Sequence, residues 1–204
     1  MNFLEFSRRM AVFPAFSVRE IEKQFPGFDR RRLIEWQNKG YLQKIRNEYY
    51  CLTDRQQTEG LSFYIANLIY RPSYVSMESA LSLYGLIPQG VFQAISCTTL
   101  KTAAFETPAG NFKYRHIKPV LYFGFRLERR DDYTVLAASP EKALIDCLYL
   151  TSSINSEQDI VELRWNRHEI NEKVSMSRLA DYQRYISSKT LDKRIKILKA
   201  YLNA

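Results

Sequence analysis

The chain has 204 residues, 46% hydrophobic and 25% charged, with a formal net charge of +8. That length suits one large domain or a small domain beside a medium one, and no run approaches the eighteen apolar residues of a membrane-spanning helix. The charge is segregated, with a net +4 over residues 1–55, −2 over 56–163 and +6 over 164–204, which points to a polyanionic partner met by the basic ends.

In chain order, Phe3, Phe6 and Met10 recur at helical spacing and predict a first helix over Phe3–Ala11. Ser17-Val18-Arg19-Glu20 has the form of a capping box and opens a second, short helix that Phe25-Pro26-Gly27 ends. Asp29 offers the N-cap of a third helix, Arg30 to Lys39, closed by Gly40. At 100° per residue, Leu33, Ile34, Trp36 and Gln37 cluster on one side, which predicts that they pack inward. Arg31, Arg32, Glu35, Asn38 and Lys39 take the other side. Arginine and asparagine can pair bidentately with guanine and adenine in the major groove, and lysine can meet phosphate. Arg30 lies nearer the apolar side and suits a backbone phosphate.

Two β-prone runs, Gly40–Arg46 and Glu48–Thr53, meet at Asn47, a residue that tolerates the left-handed backbone of a tight hairpin. A hairpin directly after a basic helix reads as a wing, with Lys44 and Arg46 near its tip to hold phosphates. The expected fold is therefore α+β: an N-terminal winged helix-turn-helix over residues 1–55, then a mixed α+β domain over 56–204 with a β-sheet and flanking helices. The expected DNA-contacting residues are Arg30, Arg31, Arg32, Asn38, Lys39, Lys44 and Arg46.

Beyond Thr58, Leu61, Ile65, Leu68 and Ile69 predict an amphipathic helix ending before Arg71-Pro72. Ser76 is expected to cap a helix stopped at Gly85, and four strands are expected at Val91–Thr99, Asn111–Ile117, Val120–Leu127 and Tyr133–Ala138. Ser139-Pro140-Glu141 is a strong helix start. Glu141, Lys142 and Asp146 also invite comparison with a nuclease carboxylate–lysine set, but capping and an i,i+4 ion pair explain them first. In the tail, Leu191, Ile195, Leu198 and Leu202 form an apolar stripe, with Lys189, Lys193, Arg194, Lys196 and Lys199 covering the rest.

Cys51, Cys97 and Cys147 show no C-x-x-C spacing and read as small buried hydrophobes of a reducing compartment. His116 and His168 have no cysteine or further histidine nearby, so no metal or cofactor is expected. The short apolar stretch Met10–Phe13 does not make a signal peptide, and the expected location is the cytoplasm. With no nucleophile–base pair and no Gly-rich phosphate loop, an enzyme is not expected.

Three segments carry a resemblance to a known family: Leu33–Arg46 running into Tyr50-Cys51-Leu52, Pro72–Leu81 followed by Tyr84-Gly85-Leu86-Ile87-Pro88, and Ala138–Asp146. In order and spacing they resemble the AbiE-type antitoxin and transcriptional regulator family of bacterial type IV toxin–antitoxin systems, which act in abortive infection. The resemblance spans residues 17–150 and departs from the family at the wing turn, where Asn47-Glu48 stands in place of a frequent glycine. It implies a DNA-binding autorepressor that recognises an inverted-repeat operator in double-stranded DNA, and an antitoxin that counters a nucleotidyltransferase-like toxin. The alternative reading is a protein-interaction module that binds the toxin or its nucleic-acid substrate without binding an operator.

Overall fold

Side-chain caps set the first helices. In the computed structural model, which describes residues 2–88 and 93–203, α1 (Phe3–Met10) starts where the Asn2 side chain accepts the Glu5 N–H at 2.8 Å. α2 (Val18–Gln24) starts at the expected capping box, in which the Glu20 carboxylate accepts the Ser17 N–H at 2.6 Å and the Ser17 hydroxyl accepts the Glu20 N–H. α3 (Arg31–Asn38) begins one residue later than the sequence suggests. Asp29 serves its first turn by accepting the Arg31 N–H at 3.0 Å. Its end is a Schellman motif: Gly40 adopts φ +72°, its N–H reaches Gln37 O and the Tyr41 N–H reaches Trp36 O.

β2 (Leu42–Arg46) and β3 (Tyr49–Leu52) then form an antiparallel hairpin, and β1 (Phe16–Ser17) adds to the far edge of β3. The left-handed residue of the turn is Glu48 (φ +65°) and not Asn47, because the turn places that conformation at its second position. One face of this small sheet lies on the three helices, around an aromatic centre in which Phe3, Phe6 and Phe28 surround Trp36 with ring centroids 4.6 to 5.9 Å away. Trp36 is almost fully buried, and truncating such a ring to alanine costs about 3–5 kcal/mol.

The opposite face of the same sheet, with Ile45 and Cys51, packs together with Ala15 into a second core shared with the rest of the chain. There α4 (Glu59–Ile69) covers one side of a six-stranded mixed sheet. Its strands, in the order β6-β7-β5-β4-β9-β8, are β4 (Ser73–Val75), β5 (Gln93–Thr98), β6 (Ala103–Thr107), β7 (Gly110–His116), β8 (Phe125–Arg130) and β9 (Tyr133–Ala138). The other side is covered by α5 (Met77–Leu83), α6 (Pro140–Leu150) and the C-terminal helices α7 (Glu157–Glu162), α8 (Arg167–Lys173), α9 (Met176–Ile186) and α10 (Lys189–Asn203). The protein is α+β.

The expected strands need revision. Val91 lies outside the described residues. β4 and β6 were not anticipated, one being three residues long and the other opening on two alanines. The stretch expected as a strand from Val120 begins instead as a 3₁₀ turn at Pro119–Leu121, since proline supplies no ladder N–H, and the strand starts only at Phe125. Ser76 precedes α5, but its hydroxyl donates to Asp146 and does not cap the helix. Arg194 leaves the expected basic face of the tail: it is buried, and its guanidinium donates to the carbonyls of Leu148, Tyr149, Ser152 and Ile154, closing the C-terminal end of α6. The apolar stripe Leu191, Ile195, Leu198 and Leu202 is buried as expected. Among the described residues no helix is long and apolar enough to cross a membrane.

Candidate nucleic-acid interface

α3 and the β2–β3 hairpin flank an open groove of about 710 Å³. Arg30, Ile34 and Asn38 line it from the helix, Lys44, Asn47 and Glu48 from the hairpin, and Val18 from the start of α2. Ile34 was expected to face inward. It is 62% exposed, because Leu33 and Trp36 already fill the contact with the aromatic centre and leave no room for a third large side chain. The outward row of α3 is therefore Arg31, Ile34 and Asn38, spaced i, i+3, i+7 along one side of the helix.

The expected contacting residues differ in what already holds them. Arg31 projects from the helix start with its side chain 91% exposed, within 3.2 Å of Asp29. Hydrogen bonds from the Arg31 backbone and side chain hold the Asp29 carboxyl below its usual pKa. Arg30 directs its fork at Glu22, at 2.6 Å, and that hydrogen bond pushes its pKa up. Lys39 is likewise raised by its bond to Glu35, one turn earlier at 2.7 Å, and Glu35 is lowered by the same bond. Such solvent-exposed pairs are weak and exchangeable, so a phosphate oxygen can displace the carboxylate from either cation. Arg32 is half-buried, while Asn38 and Lys44 are exposed.

Arg46 has no place at a phosphate-facing tip. The strand register slips between Lys44 and Arg46, a bulge that re-aims the side chains beyond it. Arg46 consequently turns into the second core, where its guanidinium donates to Ile69 O at 2.6 Å and lies over the rings of Tyr70 and Phe105, at 5.0 and 4.1 Å from their centroids. The bulge has no signature in the sequence. Glu48, also unanticipated, puts a carboxylate into the groove, and that charge adds to burial in raising the Tyr50 hydroxyl.

The other charged constellation lies on α6, in the core between the six-stranded sheet and the helices packed on it. Glu141, Lys142 and Asp146 on α6 are at most 2% exposed. Lys142 pairs with Asp146 and donates to the Tyr74 hydroxyl at 2.7 Å, while Tyr74 and Ser76 donate to Asp146 at 2.9 and 2.7 Å. Glu141 accepts from the Ser139 hydroxyl and from the Ser175 N–H. These groups satisfy one another and leave no opening for a phosphodiester. Cys51, Cys97 and Cys147 are free thiols, all buried, and burial raises each of them, Cys51 to about 11.

No protein-family model matches the chain, and a search of the curated proteins finds no match.

Proposed function

We propose that residues 2–55 act as a winged helix-turn-helix, with α3 as the recognition helix and the β2–β3 hairpin as the wing, and that the protein binds double-stranded DNA through them. The observation that carries this reading is the exposed row Arg31, Ile34 and Asn38 on α3, of which Ile34 and Asn38 line the open groove together with Lys44 of the hairpin. The three types on the helix match distinct base edges: arginine the acceptors of guanine, asparagine the donor and acceptor of adenine, and an aliphatic side chain the thymine methyl. Lys44, and Arg30 and Lys39 once released from their carboxylates, supply phosphate contacts that fix register without reading sequence.

Together with the AbiE-type resemblance of residues 17–150, this makes the protein a transcriptional autorepressor bound to an inverted-repeat operator. Its α+β unit would serve as the antitoxin half of a type IV pair, countering a nucleotidyltransferase-like toxin. The test is a gel-shift titration of the full chain with the DNA upstream of its own gene. Arg31→Ala with Arg32→Ala should weaken binding at least about a hundredfold while leaving the far-ultraviolet circular dichroism unchanged. Unchanged affinity would remove the helix from the interface. If about six phosphates are engaged, log K should fall against log salt with a slope near −5.

A further inference from the structure

β4 and β9 run parallel but are joined at a single register position, Val75 beside Ala137. Away from that point they part, and Asn67 of α4 bridges the split: its side-chain amide donates to Leu136 O at 3.1 Å and its carbonyl accepts the Leu136 N–H at 2.7 Å, as a neighbouring strand would. A cavity of about 380 Å³ opens there, a size typical of small-molecule sites.

Its lining is of mixed polar and apolar character. Ser73 lies in the wall, 4% exposed, and its buried hydroxyl has no hydrogen-bond partner among the described residues. Native interiors seldom leave such a group unpaired. Tyr64 and Tyr122 are half-buried residues whose hydroxyls make no hydrogen bond among the described residues. Leu127, which is 70% exposed, and Leu136, its register partner on β9, add apolar surface. At the rim stands Arg71, whose Nε donates to Asn67 O at 3.0 Å while its two terminal nitrogens make no hydrogen bond among the described residues. No acidic side chain lines the cavity.

We propose that this cavity binds a small organic carboxylate with an apolar or aromatic body. The carboxylate meets the terminal nitrogens of Arg71, a charge-assisted fork that a neutral group cannot use. The body lies on Leu127, Leu136 and the tyrosine rings, and Ser73 finds its partner. The site is remote in sequence from the α3–hairpin groove and shares no lining residue with it, so it stands or falls apart from the DNA-binding reading.

Ligand-observed saturation-transfer NMR on the full chain tests it, with phenylacetate as probe and 2-phenylethanol as its uncharged counterpart. Phenylacetate at millimolar concentration should receive saturation from the protein, and the alcohol should receive far less. Arg71→Gln should weaken phenylacetate about tenfold or more. Thr134→Phe, which places a ring in the cavity from an exposed position of β9, should abolish the transfer without lowering the melting temperature. Equal transfer to acid and alcohol, transfer that survives Thr134→Phe, or none to phenylacetate would overturn the proposal. Should Thr134→Phe fail to fold, full affinity in Arg71→Gln would overturn it as well.

Discussion

α3 and α6 both crowd charged residues into about two turns beside a β-strand, yet the two helices put those charges to opposite uses. On α6 the lysine and the aspartate sit four residues apart on the inward side and are closed off by Tyr74 and Ser76. In and beside α3, Arg30, Arg31 and Lys39 each pair with one exposed carboxylate, and Arg30 lines the open groove. A buried ion pair is costly to break and closed to partners, whereas an exposed pair is weak and exchangeable. Charge density in a sequence therefore does not reveal function until its access to solvent is known.

The largest effect that would sharpen this contrast comes from the buried side. Lys142→Met leaves Asp146 without its cation and should destabilise the fold by about 3–5 kcal/mol in urea titrations, while Lys142→Met with Asp146→Leu should recover most of the loss. A single-variant loss too small to resolve would mean that the buried pair is as exchangeable as an exposed one.

Alkaline pH probes the same interior. Burial raises Cys51 to about 11 from 9.0, and also raises the hydroxyls of Tyr74, Tyr84 and Tyr114. The folded state thus keeps protons that the unfolded chain releases, so stability should be level below pH 9 and fall as pH rises from 9 to 11. Cys51 alone accounts for about 2–3 kcal/mol of that loss. Urea midpoints measured across this range check it, and a level profile to pH 11 would contradict the burial.

Two cations of the hairpin, two positions apart, offer a finer separation. Lys44→Ala should weaken operator binding several-fold, lower the salt slope by about 1 and leave stability unchanged. Arg46→Ala should do the reverse, costing about 1–2 kcal/mol of stability through its lost ring contacts and Ile69 hydrogen bond while sparing affinity. The opposite pattern would place Arg46 at the DNA. The smallest effect expected is a gain: Glu48→Gln removes a carboxylate from the groove and should tighten operator binding about two- to fivefold, more at low salt than at high.

What could be read in advance was whatever local chemistry specifies. The Ser17–Glu20 capping box, the stop at Gly40 and the hairpin depend on residues within a few positions of one another, and all three were legible. The inward side of α3 was not, because helical angles alone do not show that Phe3, Phe6 and Phe28 converge on Trp36 and exclude Ile34. The departure of Arg46 from the wing follows from a register slip that leaves no mark on residue type. Arg194 looked like one more cation of a wet helix, since its four carbonyl partners lie forty or more positions upstream. The place of Glu48 in the groove depends on the left-handed backbone of the turn at that position, which residue type alone does not set.

The three-stranded sheet of the first fifty-odd residues is clad on both sides, by its own helices on one and by the larger unit on the other. Cutting the chain after Arg55 would strip Ile45 and Cys51 of their cover and leave the Arg46 guanidinium without its aromatic seat. The amino-terminal part is thus no detachable cassette for grafting onto other proteins: whatever loosens the larger unit also loosens the floor beneath the hairpin.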